Sequence, residues 1–410
     1  MEGYLFGANQ SYYHTVFDEV KAATYLYLYV SPWLLFFGTL GNILSYIIMH
    51  KMSSHVWSTC LYMSVIPMVD LVILYVECGN NWIIRLSKNT INISQFLVVS
   101  SNAVCKVYTF LFNFILHLSP WLIVAMLGEC MLSVRFTRQT PRLCTREHTR
   151  AVILLITVLL ICVNIQYFWT YGLTKGSQTY VIALCTYIRE WSESFGRTIW
   201  PTINNMIGHL LPILVTLVLC LIISLTYVRM VLSPKFRRLQ DARNEVLYQQ
   251  MLDPIAFQEF QGTILAVGFA YLLLISPQLC LIIYRYILFN YQQIKYTMKL
   301  DAQLKLFSAI CHILRYIFLS IKFAIYYVSS RRFQREFRQI VQIIFKPFTN
   351  CTKHKYAVRS SSHVEEKTWQ QDDDQTVRLV LDGKKHVTHA IDNSIGFTSH
   401  CRGHHMTTDV

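Results

Sequence analysis

Four charged side chains in two of the long apolar stretches of this sequence are its first candidates for chemistry. Asp70 and Glu77 lie seven residues apart in one stretch, and Arg315 and Lys322 lie seven residues apart in another. On a helix this spacing is nearly two turns, so the members of each pair share a face and are separated by about 10.5 Å. A charge at the centre of a membrane helix costs about 3 kcal/mol, so each of the four needs a partner. The residue types therefore predict ion pairing in an apolar environment.

These residues are carried by seven long apolar stretches that are separated by short polar segments. Each stretch reaches the roughly 20 residues that a helix needs to cross a bilayer, and backbone groups in hydrocarbon must bond within such a helix. The composition agrees, since 53% of residues are hydrophobic and only 15% are charged. The predicted fold class is an all-α integral membrane protein, a seven-transmembrane helix bundle. We predict the spans at 25–48, 57–77, 105–134, 151–173, 200–228, 263–288 and 306–328.

Lys and Arg are concentrated after the third, fifth and seventh spans and are sparser in the alternate loops. The positive-inside rule then places the N-terminus outside the cell and the C-terminus in the cytoplasm of a multi-pass plasma-membrane protein. The net charge of +14 is mostly this bias toward an anionic leaflet and requires no nucleic acid. We predict an extracellular segment at 1–24, the membrane domain at 25–329, a short amphipathic eighth helix at 330–346 and a disordered cytoplasmic tail at 347–410.

Candidate modification sites lie outside the spans. Two glycosylation sequons, at Asn9 and Asn92, fall on the predicted outer side. Of the twelve cysteines, three lie near the outer face: Cys78, Cys105 and Cys185. A bridge between Cys105 and Cys185 would tie the loop after the fourth span over the bundle. Cys78 is a competing partner that sequence alone does not exclude.

The spans also carry landmark residues in a characteristic order. The set comprises Gly41-Asn42, Asp70, Cys105 placed 24 residues before Glu129, Ser119, Trp121, Pro212, Pro277, Tyr326 and Phe333. In these landmarks the chain resembles the rhodopsin-like (class A) G-protein-coupled receptors over about residues 33–345, and segment 164–169 is similar to invertebrate peptide receptors. The resemblance implies a receptor that passes an extracellular signal to a G protein or arrestin. It also favours the Cys105–Cys185 pairing.

The resemblance makes the second and seventh helices neighbours that run in opposite directions. Asp70 would then face Lys322 deep in the bundle, and Glu77 would face Arg315 nearer the outer face. The outer pair, Glu77 with Arg315, has two interpretations. Glu77 simply neutralises Arg315, or Arg315 and His312 contact an acidic group of a ligand.

The resemblance has a further implication for the deep pair, Asp70 with Lys322. In many family members the second-helix aspartate, a third-helix serine and a seventh-helix asparagine hold a sodium ion. Asp70 and Ser119 remain here, with Asn42 in the same predicted polar network, but Lys322 replaces the asparagine. Its ammonium would take the cation's place, so we expect sodium to have little effect. A purely structural salt bridge is the alternative.

The G-protein-facing switch departs from the family pattern. An arginine normally follows the third-helix acid, whereas this chain has Glu129-Cys130-Met131. A cysteine lacks the charge and the forked donors of a guanidinium. Tyr326 of the seventh-helix motif is retained. The alternative function is therefore a receptor-fold protein with atypical or lost G-protein coupling, acting as a decoy, a scaffold or an arrestin-biased receptor.

Comparison with family landmarks also narrows the ligand class. Phe112 stands where aminergic receptors have an aspartate, and Tyr316 stands where opsins have their retinal lysine. By elimination a peptide ligand is favoured. The sequence has no HExxH motif, no P-loop and no internal repeat, so we predict neither an enzyme nor a transporter, and no cofactor or metal.

The predicted tail contains two further motifs. Cys351 follows the predicted eighth helix and is a candidate for palmitoylation. The terminal Thr408-Asp409-Val410 fits the carboxyl-terminal pattern that PDZ domains bind by strand addition. The predicted partners are thus an extracellular peptide, a heterotrimeric G protein or arrestin, a PDZ-domain protein and the lipid bilayer.

Overall fold

Among the residues that the computed structural model describes, seven helices are long and apolar enough to cross a membrane. This confirms the prediction of a seven-helix, all-α architecture. The structure describes residues 17–55, 58–88, 90–136, 144–174, 184–188, 195, 199–232, 254–290 and 297–343. The seven spans, named below by their order, are Asp18–Ser53, Cys60–Leu86, Asn102–Arg135, Arg146–Thr170, Trp200–Arg229, Phe260–Leu288 and Met298–Ser329.

Several boundaries differ from the sequence prediction. The first span begins at Asp18, so part of the segment predicted as an extracellular N-terminus is helical. The second span continues past Glu77 to Leu86. The fourth span ends at Thr170, because Tyr171–Thr174 leaves the helix as a strand. Hydropathy detects the apolar centre of a span better than its polar ends, which explains these errors.

The third span lies at the centre of the bundle, where it packs against the second, fourth, fifth and sixth spans. The first span packs against the second and seventh, and the seventh also contacts the second and sixth. The second and seventh spans are therefore neighbours, which is the relation that pairing between their charges requires.

Three spans contain a π-helical turn, a distortion that is frequent at functional sites. These turns carry Tyr27 in the first span, Glu77 in the second and His209 in the fifth. Polar residues of the bundle thus coincide with local departures from α-helical geometry. The π segments are Leu26–Val30, Leu74–Gly79 and Met206–Leu210.

A two-stranded antiparallel hairpin follows the fourth span. Strand β1 is Tyr171–Thr174 and strand β2 is Leu184–Tyr187, with Leu173 opposite Cys185. Asn102 Oδ1 accepts from Leu173 N across 3.1 Å. A Cβ at Gly172 would lie 2.6 Å from Ile188 Cδ1 and 2.8 Å from the same oxygen, so a larger residue would have to displace these side chains. The hairpin thereby marks one end of the bundle, called the hairpin end below.

Residues 331–343 form a helix after the seventh span. Ser330 Oγ caps it by accepting from Phe333 N across 3.2 Å, and Phe333 is 0% exposed. Lys51 pairs with Glu336 across 2.8 Å, which ties this helix to the end of the first span. The prediction placed a helix at 330–346, of which 344–346 lie outside the described residues.

The outer surface of the spans is apolar. Leu154 and Leu273, for example, are 64% and 74% exposed. Large contiguous apolar surface is unfavourable in water and suits contact with hydrocarbon. The surface therefore agrees with the length and composition of the spans in indicating a multi-pass membrane protein.

Candidate functional site

The deepest polar contact joins the second, third and seventh spans. Lys322 Nζ donates to Asp70 Oδ2, and Ser119 Oγ donates to Asp70 Oδ1 across 2.8 Å. Both charged side chains are 0% exposed. The ammonium also lies 4.2 Å from the centroid of the Phe318 ring, where a cation is attracted by the π face. Both carboxylate oxygens of Asp70 are thus hydrogen-bonded, and its charge is balanced.

Asn42 lies beside this contact without joining its hydrogen bonds. Its Nδ2 donates to Leu319 O across 3.2 Å, which links the first span to the backbone of the seventh. Asn42 was predicted to belong to the network of Asp70 and Lys322, and the structure gives it a separate role in helix packing. Tyr326 is also 0% exposed, and its hydroxyl has no hydrogen-bond partner among the described residues.

A second ion pair lies nearer the hairpin end. Arg315 Nη2 contacts Glu77 Oε1, and the two side chains are 14% and 11% exposed. Within the described chain, Glu77 Oε2 and Arg315 Nε lack hydrogen-bond partners. This pair neutralises its charges and keeps unused hydrogen-bonding capacity.

Aromatic and amide residues surround the second pair. His312 Nδ1 is 2.8 Å from Tyr27 OH, and Asn81 Nδ2 donates to Tyr316 OH across 2.9 Å. The Arg315 guanidinium lies 6.0 Å from the centroid of the Tyr316 ring. Tyr27, Asn81 and Tyr316 were not predicted as site residues. Only their positions one turn from predicted residues, or in a π segment, could have indicated them.

The cysteines at the hairpin end are now assigned. Cys105 forms a disulfide with Cys185, across a sequence separation of 80 residues. Cys78, the competing partner, is buried as a free thiol, with its sulfur 4.0 Å from Ser31 O. The bridge joins strand β2 to the first turn of the third span and holds the hairpin at this end of the bundle.

At the opposite end, called the Glu129 end, a carboxylate is held by hydroxyl groups. Ser58 and Thr59 donate to Glu129 Oε1, the latter across 2.8 Å, and Thr149 Oγ1 donates to Glu129 Oε2 across 2.8 Å. These contacts join the third span to the beginnings of the second and fourth. The three hydroxyl residues were missed, although each stands at the polar boundary of an apolar stretch.

The two residues that follow Glu129 do not provide a charged group in place of the family's arginine. Cys130 is 2% exposed and belongs to the apolar core, and Met131 packs against that core. Cys144 lies beyond the third span, with its sulfur 3.9 Å from Glu129 O. Burial, and then the nearby Glu129 carboxylate, raise the pKa of the Cys144 thiol to about 11. The Cys144 thiol is therefore neutral, and no cysteine side chain can supply the positive charge of an arginine.

Another polar contact connects the third, fourth and fifth spans and was also missed. Asn164 Nδ2 lies 3.1 Å from His117 Nδ1 and donates to Leu160 O across 2.8 Å. Trp121 Nε1 donates to Ile207 O across 3.1 Å, within the π segment of the fifth span. His117 is only 2% exposed, so this contact serves packing of the bundle interior.

The predicted modification sites have different outcomes. Asn92 Oδ1 accepts from Gln95 N across 3.0 Å and caps the helix that follows, which leaves Nδ2 outside this bond. Asn9, Cys351, Thr408 and Val410 lie outside the described residues. Their predicted roles in glycosylation, palmitoylation and PDZ binding stay predictions.

The comparisons with known proteins do not assign this geometry to a family. No family model and no curated protein matches the chain. Over the described ranges, no group of three or more His, Cys, Asp or Glu side chains could hold a metal ion. The arrangement itself consists of two buried charge pairs between the second and seventh spans and a hairpin that is held covalently to the third span.

Proposed function

We propose that this chain is a cell-surface receptor of the rhodopsin-like class. It binds an extracellular ligand, for which a peptide is favoured, at the hairpin end. It passes the signal to a G protein or an arrestin at the Glu129 end. The landmark residues carry the family resemblance, and the Cys105–Cys185 disulfide supports it independently of hydropathy.

The observation that carries the proposal is the pairing of the second and seventh spans at two depths. Buried ion pairs add little net stability, because desolvation offsets most of their attraction. Asp70–Lys322 and Glu77–Arg315 are therefore better explained by control of helix position than by strengthening of the fold. A ligand that changes the contact at Glu77 acts on the helix that also carries Asp70.

A peptide-library screen on cells that express the full chain, with separate G-protein and arrestin readouts, tests the proposal. We expect at least one peptide to produce a saturable response. Arg315→Ala should weaken that response at normal surface expression, whereas Lys305→Ala, which removes an exposed cation of the same helix, should not. A response that is equally strong in untransfected cells counts against the receptor.

The alternative function, a receptor fold with atypical coupling, is favoured by the Glu129 end. Cys130 replaces the switch arginine, and both oxygens of Glu129 are already occupied by hydroxyl donors. Nothing in this hydroxyl set substitutes for a guanidinium at the floor on which a G protein docks. Arrestin-biased or decoy behaviour would follow.

Restoration of the arginine distinguishes the two functions. Cys130→Arg should raise G-protein coupling if the missing guanidinium limits the signal, and Cys130→Gln serves as the uncharged polar control. Because Thr149 competes for the Glu129 carboxylate, Cys130→Arg combined with Thr149→Val should gain more than Cys130→Arg alone. A ligand that recruits arrestin equally in all variants, without any G-protein gain, supports the alternative.

A further inference from the structure

A short helix between the second and third spans points apolar side chains outward, away from the bundle, where a loop in water would have polar ones. This loop helix is Ile93–Val99. Ile93, Phe96 and Leu97 are 42%, 75% and 43% exposed, and their spacing of three and four residues places them on one face. A helix that lies on a soluble protein presents the opposite pattern, with its apolar face toward the core.

The inward side of the loop helix is polar and firmly attached. Ser94 N donates to Asn80 Oδ1 across 3.1 Å, and Tyr108 OH donates to Ser94 Oγ across 2.7 Å. Asn92 caps the first turn. The second and third spans therefore hold the loop helix in place, and its exposed apolar face is a fixed surface.

The surroundings of this face indicate lipid. The loop helix packs against the first turns of the third span, where Val104, Val107 and Leu111 are 37%, 42% and 44% exposed. These three positions form one exposed apolar stripe on the helix against which the loop helix packs, and such a stripe suits contact with hydrocarbon. Lys88, at the beginning of the same loop, is a cation of the kind that suits lipid phosphates.

A second copy of the chain is a poorer occupant. Stable protein interfaces bury about 800 Å² per partner, which is far more than the exposed face of a seven-residue helix provides. Lipid requires no such minimum, because it already surrounds the adjacent spans.

We propose that the loop helix is a membrane-interface foot. Ile93, Phe96 and Leu97 insert among the acyl chains of the leaflet at the hairpin end, next to the second and third spans. The foot fixes the height of these two spans in the bilayer. It depends on membrane insertion of the chain and on no assumption about its ligand or its coupling.

Photolabelling of the full chain in phosphatidylcholine nanodiscs that contain one copy each tests the foot. A diazirine reagent dissolved in the bilayer marks lipid contact, and hydroxyl radicals mark water contact, both located by peptide mass spectrometry. We expect peptides containing Phe96 to take the lipid label as heavily as peptides containing Leu111. Leu184, which is 45% exposed in the hairpin, should instead take the water label.

Two variants separate loss of lipid contact at the loop helix from general misfolding. Phe96→Ser should remove most of the lipid label from the loop helix and leave the label on Leu111 unchanged. Gln95→Ser, one position away, should leave both unchanged. Water labelling of Phe96 at the level of Leu184 would overturn the proposal, as would a Phe96 that neither reagent reaches, because another part of the molecule would then cover it.

Discussion

The two ion pairs between the second and seventh spans have the same sequence spacing and different surroundings. Asp70–Lys322 is 0% exposed, and its carboxylate accepts from Ser119 as well. Glu77–Arg315 keeps 11–14% exposure, and each partner has an atom without a hydrogen bond among the described residues. The comparison teaches that each charged oxygen and nitrogen of the deep pair has a partner, whereas the outer pair keeps Glu77 Oε2 and Arg315 Nε for a further contact.

The largest effect is expected from breaking the deep pair on one side. Lys322→Met should destabilise the protein by about 3–5 kcal/mol, because it leaves the Asp70 carboxylate buried without a compensating charge. The measurement is thermal and chemical denaturation of purified protein in detergent micelles. Asp70→Asn combined with Lys322→Met removes both charges and should recover most of the loss. A double variant as unstable as the single one would contradict a charge-based explanation.

A smaller effect is expected from breaking the outer pair. Arg315→Ala should cost about 1.5–3 kcal/mol, the range for hydrogen bonds to charged groups, because Glu77 is left partly accessible to water. The same denaturation assays should therefore rank Arg315→Ala below Lys322→Met. Lys305→Ala, whose salt bridge with Asp301 is exposed, is the matched control and should change little. Equal losses for Arg315→Ala and Lys322→Met would remove the distinction between the two pairs.

The response of the protein to sodium tests whether the Lys322 ammonium occupies the place of a cation beside Asp70. Since the Lys322 ammonium already contacts Asp70, sodium chloride should not stabilise the unmodified protein more than choline chloride at equal ionic strength. Lys322→Asn frees Asp70 and Ser119 to bind a small cation, so sodium should then raise the melting temperature, as any ligand specific to the native state does. Lys322→Asn combined with Ser119→Ala should lose part of that shift. Strong stabilisation of the unmodified protein by sodium would contradict a tethered cation.

The sequence predicted the seven spans because each is apolar over enough residues to dominate a hydropathy pattern. It also predicted both ion pairs, since an ionisable residue in hydrocarbon needs an opposite charge and the resemblance supplied the neighbouring helices. The disulfide choice over Cys78 came from that resemblance as well. The spans thus followed from composition, whereas the ion pairs and the disulfide also needed the neighbour relations that the resemblance implied.

Contacts made by uncharged polar residues could not be predicted in the same way. Asn42 was predicted to belong to the polar network of Asp70, but its Nδ2 donates to Leu319 O, because a backbone carbonyl satisfies an amide as well as a side chain does. The hydrogen bonds from hydroxyl residues to Glu129, and the contact of Tyr27 with His312, depend on side-chain rotamers and on π turns. A single sequence specifies neither.

The smallest effect concerns one hydrogen bond at the edge of the outer pair. Tyr27→Phe removes the hydroxyl that lies 2.8 Å from His312 Nδ1 and should cost about 1 kcal/mol in the denaturation assays. Tyr29→Phe is the control, since Tyr29 is 64% exposed on the surface of the same span. If Tyr27 holds His312 beside Arg315, Tyr27→Phe should also weaken the response to any peptide from the screen without lowering surface expression. A stability loss with an unchanged response would restrict Tyr27 to packing. The residues that contact the ligand near the outer pair would then not include any of the first span.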